Sequence, residues 1–372
     1  MNRMNGILAL LIWLASCGSA NEPLPVVPQP PVAVKWTITP STVSLSSKGE
    51  TRSLIVEANG EWTVVSNQSW LTVSPSRGSN GQTSVKITAT GNPGEQPRDA
   101  LLTFSSGDYG ITYTVKQEGA IIANHVPEGY TLVWREEFNA DRLNGGKPAL
   151  PDMKRWWYEA AAPGWVNNEL QTYVDGGFRG TDTVAAIYDG TLKIIARKSG
   201  NAILSARINT NESWTYGYFE ARLRVPGGKG TWPAFWMMPR DFKQWPLDGE
   251  IDIMEYVGYR PNVVQSSIHT QAYNHVQRTE KTATKAIQNA ETEFHIYAVE
   301  WTADYIKGFV DGEEYFRFDN DEAGNKHTWP FNVPFYLKLN LAWGGDWGGS
   351  QGVDESKLPA VYEIDYVRVY QR

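Results

Sequence analysis

The sequence is poor in the residues that build disulfides, metal centres and nucleic-acid interfaces. It holds one cysteine, Cys17, so no intrachain disulfide can form, and only 5 histidines. The formal net charge is −7 and no basic block is present, so the long-range field repels nucleic acid. His269 and His275 have no further ligand residues near them in the sequence, which argues against a catalytic metal. We therefore expect neither a nucleic-acid partner nor a catalytic cofactor.

The apolar run at the start of the chain, from Ile7 to Leu14, is too short to span a bilayer. It follows Arg3 and leads into Ala15, Ser16 and Cys17, and residues 1–17 resemble a bacterial lipoprotein signal. The resemblance implies that Cys17 is lipidated, whereas an ordinary signal peptide containing a cysteine is the alternative. It also implies a cell-envelope protein that is held in the outer membrane by its lipid alone. The resemblance does not decide whether the protein lies on the periplasmic or the external face of that membrane.

Aromatic rings and turn residues are abundant. The 16 tryptophans and 18 tyrosines suit either large β cores or platforms for stacking sugars, and composition does not separate the two. A length of 372 residues indicates two or three folding units. The Pro-rich residues 18–34 are expected to form an extended, semi-rigid linker.

Residues 35–120 are expected to form a small immunoglobulin-type β-sandwich. Short alternating runs, such as those at 53–57 and 84–88, are separated by clusters of Gly, Asn, Pro and Ser. The segments WTV (62–64), SWLTVSP (69–75) and VKQEG (115–119) resemble the BACON domain of exported Bacteroidetes proteins. The segment has no cluster suited to catalysis, so a spacer role is favoured over carbohydrate binding.

Residues 126–372 keep the β pattern over a longer stretch. Runs such as those at 190–196, 217–224 and 362–370 alternate with turn signals, and no long helical period appears. This pattern predicts a large β-jelly-roll sandwich, concanavalin-like, with a concave substrate cleft. The fold class expected for the whole chain is therefore all-β.

Three acids in one predicted strand carry the chemistry. Glu250 and Asp252 share a face, whereas Glu255 would point to the opposite face of a regular strand. A β-bulge near Ile253 or Met254 would return Glu255 to the first face. Crowded carboxylates raise one another's pKa, which makes little sense as structural filler.

A pair of carboxyl groups on either side of a glycosidic bond is what a retaining glycosidase needs. We expect Glu250 to be the nucleophile, Glu255 the general acid and then base, and Asp252 the group between them that keeps the pair in opposite protonation states. The segment DGEIDIME (248–255) resembles the catalytic strand of glycoside hydrolase family 16, in its laminarinase-like version. In that family the first glutamate is the nucleophile and the last is the acid/base.

The resemblance extends over residues 133–371 and implies further contacts to the sugar. Trp232 and Trp236 are four apart on one strand face, where indoles can stack on pyranose rings, with Phe235 and Met237 pointing inward. His269 could hydrogen-bond the nucleophile or the substrate. The implied substrate-binding residues are Asn168, Glu169, Arg207, Trp232, Trp236, His269 and Trp343. Structural alternatives stay open for several of them, namely a turn cap for Asn168 and Glu169, an ion pair for Arg207, core packing for Trp232 and Trp236, and a structural histidine for His269. Trp343 lies in a segment that resembles the family's Gly-rich loop on the cleft rim, at a position where many members carry a smaller aliphatic residue. It could add a sugar platform or close a subsite.

The resemblance also implies a structural calcium ion held by Asp365 and by the backbone near Glu137, with a solvent-facing acid as the alternative. The expected activity is that of an endo-acting β-glucanase on β-1,3-glucan or mixed-linkage β-1,3-1,4-glucan, working as a monomer. Relatives acting on agarose, carrageenan or xyloglucan are the first alternative. A non-catalytic glycan-binding surface lipoprotein is the second.

Overall fold

The computed structural model describes residues 35–120, 124–138 and 149–372. Cys17 and the linker at 18–34 lie outside the described residues. The first part, residues 35–120, is a two-sheet sandwich. Its strands are β1 (Trp36–Thr39), β2 (Val43–Leu45), β3 (Glu50–Ala58), β4 (Trp62–Ser66), β5 (Leu71–Ser74), β6 (Arg77–Gly78), β7 (Gly81–Ala89), β8 (Arg98–Ser106) and β9 (Tyr109–Gln117).

Strand alternation builds this sandwich. In β3, Leu54, Val56 and Ala58 are buried, while the residues between them face solvent. One sheet has the order β1-β3-β7-β5 and the other β2-β9-β8-β4-β6. Their inner faces meet in a core of their own that includes Trp62, Trp70 and Phe104. The predicted small sandwich is confirmed.

The second part contains nineteen further strands and three short helical turns among the described residues. The strands are β10 (Thr131–Glu136), β11 (Trp156–Tyr158), β12 (Gln171–Tyr173), β13 (Phe178–Arg179), β14 (Asp182–Thr183), β15 (Ala185–Tyr188), β16 (Thr191–Ser199), β17 (Ala202–Ser205), β18 (Arg207–Thr210), β19 (Gly217–Arg224), β20 (Thr231–Pro239), β21 (Glu250–Tyr256), β22 (Val263–His269), β23 (Lys281–Ala286), β24 (His295–Trp301), β25 (Tyr305–Val310), β26 (Glu313–Asp319), β27 (Phe335–Trp343) and β28 (Ala360–Gln371). The helical turns are α1 (Gly345–Gly348) and two 3₁₀ turns, Asp175–Gly177 and Glu355–Lys357.

Two large sheets pack face to face in this part, which confirms the predicted all-β jelly roll. The sheet that carries the acidic strand has the order β11-β18-β27-β20-β21-β22-β23. The backing sheet has the order β12-β17-β16-β28-β19-β24-β25-β26, with β10 paired to β28 and β15 to β16. One apolar core fills the space between the sheets and includes Phe219, Phe235, Trp301 and Leu339. The site-bearing sheet is therefore fixed from behind over its whole width.

Two dipeptides of the second part form tight turns between antiparallel neighbouring strands. Asp189-Gly190 and Asp311-Gly312 have φ values of 53° and 73°, and 49° and 78°, respectively. Two consecutive residues at positive φ are the mark of a tight hairpin turn, which aspartate and glycine tolerate best.

The small sandwich contacts the outer face of the backing sheet. Arg222 Nη1 on β19 donates to the carbonyl of Pro93 at 2.8 Å, and Arg368 Nη2 on β28 lies 2.6 Å from a carboxylate oxygen of Glu95. Ser69 Oγ donates to Asp189 Oδ1 at 2.6 Å. Residues 91–97 of the small sandwich thus meet the large domain on the side opposite the sheet that bears the acids.

Within residues 35–120, 124–138 and 149–372, no helix has the length and apolar character needed to cross a membrane.

Candidate active site

A β-bulge brings the three acids of β21 to one face, as the sequence predicted. Asp252 and Met254 pair with the consecutive residues Trp236 and Phe235 of β20, so one residue is extra on β21. The register against β22 shifts in the same interval, between Asp252 and Glu255. The side chains of the residues between the acids, Ile251, Ile253 and Met254, are buried in the core. Core packing on one face therefore presents the acids on the other.

The three acids line a cavity of about 450 Å³ on the exposed face of this sheet. Aromatic side chains form much of its wall, including Trp232 and Trp236, as predicted, while Phe235 and Met237 point into the core. The full lining comprises Glu159, Trp165, Val166, Asn167, Glu169, Arg207, Trp232, Ala234, Trp236, Met238, Phe242, Trp245, Glu250, Asp252, Glu255, His275, Val276, Tyr336, Lys338 and Asn340. Acids surrounded by flat rings are suited to a saccharide, whose ring faces are apolar and whose edge is polar.

Each glutamate accepts a hydrogen bond from one indole. Trp245 Nε1 donates to Glu250 Oε2 at 2.9 Å, and Trp232 Nε1 donates to Glu255 Oε1 at 3.1 Å. The loop that carries Trp245 is tied down by Asp248, whose Oδ2 accepts the backbone N–H groups of Lys243 and Gln244 at 2.7 Å. Trp232 packs edge-to-face with Trp347, with ring centroids 5.4 Å apart. The donors are therefore held in place before a substrate arrives.

Burial raises the pKa of all three carboxyl groups. For Glu250 and Glu255, the negative charge of Asp252 raises the pKa further. The indole of Trp245 and the positive charge of His269 act in the opposite direction on Glu250, since both favour its ionised form. For Asp252, the neighbouring side chain of Glu250 lowers the pKa and so acts against burial. Three carboxyl groups this close cannot all be ionised near neutral pH, so the site retains at least one proton. Because the groups titrate together, their protonation is a property of the cluster and not of one residue.

His269 lies beside the middle acid. Its Nε2 is 3.2 Å from Asp252 Oδ2, and its ring contacts those of Trp245 and His275 in tilted and edge-to-face arrangements, at centroid distances of 5.9 and 5.2 Å. The ligand atoms of Glu250, Asp252 and His269 all lie within 4.8 Å of one another, so they could hold a divalent cation. Hydrolysis by two carboxyl groups requires no metal ion, so we assign His269 to the support of Asp252.

At the other end of the cavity, Arg207 is buried among acids and rings. Its Nη2 is 3.6 Å from Glu169 Oε2 and its Nη1 is 3.7 Å from Glu159 Oε2. Glu169 in turn accepts hydrogen bonds from Gln171 at 2.7 Å and from the hydroxyl of Tyr173 at 2.9 Å. Both predicted residues, Glu169 and Arg207, thus line the cleft, and both are also parts of an ion-pair network within the wall.

Three of the residues proposed as sugar ligands do not line the cavity. Asn168 is exposed and donates to Asp346 Oδ1 at 2.8 Å, so its neighbour Asn167 takes the lining position. His269 lies opposite Glu250 on β22 with its Nε2 beside Asp252, and among the described residues no hydrogen bond joins it to Glu250. Trp343 is fully buried in the core, because its odd-numbered neighbours on β27 all face inward; the predicted sugar platform or subsite closure at Trp343 is wrong.

The sequence alone does not single out several of the lining residues. Lys338 and Asn340 of β27 lie opposite Trp236 and Ala234 of β20, so strand alternation would have found them once that pairing was known. Trp245 and His275 are in loops, where no periodicity reveals which side chain enters the cleft.

The side chains predicted to hold calcium do not fit that ion as they stand. Glu137 receives Arg368 Nε and Nη2 on its two oxygens, each at 2.9 Å, and Asp365 pairs with Arg222 at 2.8 Å. Asp365 is buried, which raises its pKa to about 6 despite the guanidinium beside it. A guanidinium already supplies each carboxylate with its counter-charge, so these side chains are not free to bind calcium.

A first prediction concerns the indole that binds the nucleophile. In a Trp245→Phe variant, Glu250 loses a donor to its ionised form, so its pKa rises and the acidic limb of the pH profile of kcat/KM moves to higher pH. A hydrogen bond to a charged group corresponds to a shift of about one pH unit or more. Trp236→Phe is the matched control, because Trp236 donates to the neutral Asn340 Oδ1 at 2.7 Å. Equal profiles for the two variants would contradict the role given to Trp245.

This fold and this cluster define a class: a jelly-roll glycosidase with its carboxyl groups on a bulged strand. The family model "Glycosyl hydrolases family 16" matches residues 165–368, more than half of the chain, and the chain belongs to that family. Residues 35–120 match a second family model, "Viral BACON domain".

Similar proteins are of the same kind. The chain is 44% identical over 256 residues to the "Beta-glucanase" of Rhodothermus marinus, covering 65% of this chain and 85% of that protein. It superposes on the X-ray structure of the laminarinase from Rhodothermus marinus with a TM-score of 0.60 and 43% identity, covering 65% and 97% of the two chains. It also superposes on SCLam, described as a non-specific endo-beta-1,3(4)-glucanase from family GH16, with a TM-score of 0.61 and 44% identity, covering 66% and 92%. The chain is thus a glycoside hydrolase.

Proposed function

We propose that this protein is an endo-acting β-glucanase that hydrolyses β-1,3-glucan, mixed-linkage β-1,3-1,4-glucan or both, with retention at the anomeric carbon. The observation that carries the proposal is the bulge in β21, which sets Glu250, Asp252 and Glu255 side by side in an aromatic-lined cleft. The relatives described above include a beta-glucanase and a non-specific endo-beta-1,3(4)-glucanase, which supports the same substrates.

In the first step, the carboxylate of Glu250 attacks the anomeric carbon while Glu255 gives its proton to the glycosidic oxygen. The glycosidic bond breaks, the leaving glucan departs with that proton, and the sugar is held as an ester on Glu250. Burial and the charge of Asp252 keep Glu255 protonated until this moment, since both raise its pKa. Trp245 stabilises the ionised form of Glu250 through its hydrogen bond.

In the second step, the ionised Glu255 takes a proton from water, and the water oxygen attacks the anomeric carbon of the ester. The ester bond breaks and Glu250 leaves as a carboxylate, so the enzyme returns to its starting state. Asp252 lies between the two glutamates in the register of β21, so its charge makes it unfavourable for both to be ionised together.

The charges in the cleft favour a neutral glucan over a sulfated one. Among the described residues that line the cleft, the arginine and the lysine are Arg207 and Lys338. Each is paired with a carboxylate, Arg207 with Glu169 Oε2 at 3.6 Å and Lys338 with Glu159 Oε2 at 2.7 Å. A sulfate group would need a cation to bind, and these cations already have their counter-charges.

Laminarin and cereal mixed-linkage glucan, incubated with the purified protein, test the proposal. We expect new reducing ends and a spread of oligosaccharide lengths from the first minutes, as internal cleavage requires. Release of single glucose units alone would contradict endo action. Binding of either glucan without new reducing ends would favour a glycan-binding protein.

We also propose that the protein is exported, lipidated at Cys17 and monomeric, with the BACON-type domain as a spacer. The support is the resemblance of residues 1–17 to a lipoprotein signal and the position of the small sandwich away from the cleft.

A Cys17→Ser variant should lose incorporation of a labelled fatty acid and move from the membrane fraction to the soluble one. Unchanged labelling would overturn the proposed lipid anchor.

A further inference from the structure

A second polar centre lies in the cleft, away from the three catalytic acids. Lys338 faces the cavity from β27, and its side chain is 2% exposed. Its ammonium nitrogen lies 2.7 Å from Glu159 Oε2 and 4.9, 5.2 and 5.8 Å from the ring centroids of Trp236, Tyr336 and Trp157. Three rings and one carboxylate thus enclose the cation.

This enclosure fixes a carboxylate at the cavity wall. Glu159 Oε2 receives Lys338 and also faces Arg207 Nη1 at 3.7 Å, so two buried cations hold one oxygen. The glutamate side chain nevertheless stays 21% exposed and lines the cavity. Burial lowers the pKa of Lys338 to about 8, against the charge of Glu159, so the ion pair persists at neutral pH. A fixed and partly solvated carboxylate is a ready acceptor for the hydroxyl groups of a sugar.

The strand register places this centre relative to the catalytic acids. Asp252 is directly opposite Trp236, and Trp236 is directly opposite Lys338. Two strand spacings separate Lys338 from Asp252, about 10 Å across the sheet. A sugar bound over Trp236 therefore lies between the catalytic acids and Glu159, so a sugar that contacts Glu159 is at least one unit further along the chain.

We infer that Glu159 is a remote sugar-binding residue that makes the enzyme favour longer glucan chains, and that Lys338 is its positioning residue. The inference rests on the proposed glucanase function and extends it to a subsite. The ligand is a neutral glucosyl unit, which donates its hydroxyl protons to the carboxylate of Glu159. Short substrates that end over Trp236 do not reach this carboxylate.

The test compares Glu159→Gln and wild type on β-1,3-linked glucose oligomers of increasing length. We expect kcat/KM to fall about tenfold or more on long oligomers, mainly through KM, because a hydrogen bond to a charged acceptor is lost. On the shortest cleaved oligomer, the two proteins should agree within about twofold. Equal losses at every length, or no loss at any length, would overturn the inference.

Two further variants separate binding from folding. Lys338→Met removes the buried ammonium and leaves Glu159 beside Arg207, so it should show the same length dependence in weaker form. The double variant with Glu159→Gln leaves no unpaired charge at this ion pair, and should unfold near the wild-type temperature while still lacking the preference for long chains. Glu314→Gln is the control, because Glu314 forms a lysine pair with Lys307 at 3.2 Å on the backing sheet. If wild type cleaves no oligomer, the proposed function fails; if it cleaves them with no length preference, only this inference does.

Discussion

Replacing Glu250 by glutamine is expected to lower kcat on laminarin by at least about a thousandfold without unfolding the protein. The amide has the shape of the carboxylate and still offers an oxygen to Trp245 Nε1, so the loop and the strand have no reason to move. It carries no negative charge, however, and cannot form the ester with the anomeric carbon. The loss should therefore appear in kcat, measured from reducing ends, with little change in the affinity for glucan.

The matched control for this variant is Glu314→Gln, which makes the same chemical change on the backing sheet. Its kcat should be that of wild type. Circular dichroism and thermal unfolding would show that all three proteins are folded. Turnover by Glu250→Gln above a few per cent of the wild-type rate would remove Glu250 from the nucleophile position.

Replacing Glu255 by glutamine is expected to cost about 10²- to 10⁴-fold in kcat on glucans, the usual contribution of a positioned acid or base. The loss in the first step should be far smaller on a glycoside whose leaving group is already acidic, because that oxygen needs no proton. With such a substrate the glycosyl ester should accumulate and give a burst of leaving group, since the second step still lacks its base. Equal losses in kcat/KM on the two substrates, or no burst with the activated one, would contradict the acid/base assignment.

The pH dependence of activity and stability follows from the same group. Burial raises the pKa of Glu255 in the folded protein, so wild-type kcat/KM should fall as pH rises through that value, while the residual activity of Glu255→Gln lacks this limb. A carboxyl group whose pKa is raised by folding destabilises the protein as pH rises above the unfolded value. The unfolding temperature of Glu255→Gln should therefore exceed that of wild type increasingly above about pH 5. A constant difference across pH would contradict the raised pKa.

The acidic strand could be predicted from the sequence because its pattern of acids and apolar residues conflicts with the two-residue period of a regular strand. Three apolar residues alternate with three acids in a way that a regular strand cannot satisfy, and a bulge at Ile253 and Met254 is the least costly solution. The inward positions of Phe235 and Met237 followed from the same period of two. Local rules sufficed wherever one strand decided the outcome.

The rest of the site depends on pairings between distant strands. The position of Lys338 in the cleft follows only from the pairing of β27 with β20, which places it opposite Trp236. Its ion-pair partner Glu159 comes from a distant part of the chain, just after β11. Trp343 was misplaced because a family resemblance suggested the rim, whereas its position in β27 puts its indole in the core. For Asn168 the error was one residue in a turn with two consecutive positive φ values.

The contact between residues 91–97 and the backing sheet leaves the cleft side of the enzyme open to an insoluble polysaccharide. Arg222 and Arg368 hold the small sandwich on the outer face of the backing sheet, so this domain does not cover the groove. A surface attached to the small sandwich would lie at the enzyme's back, and the groove would point outward, toward material arriving from the surroundings.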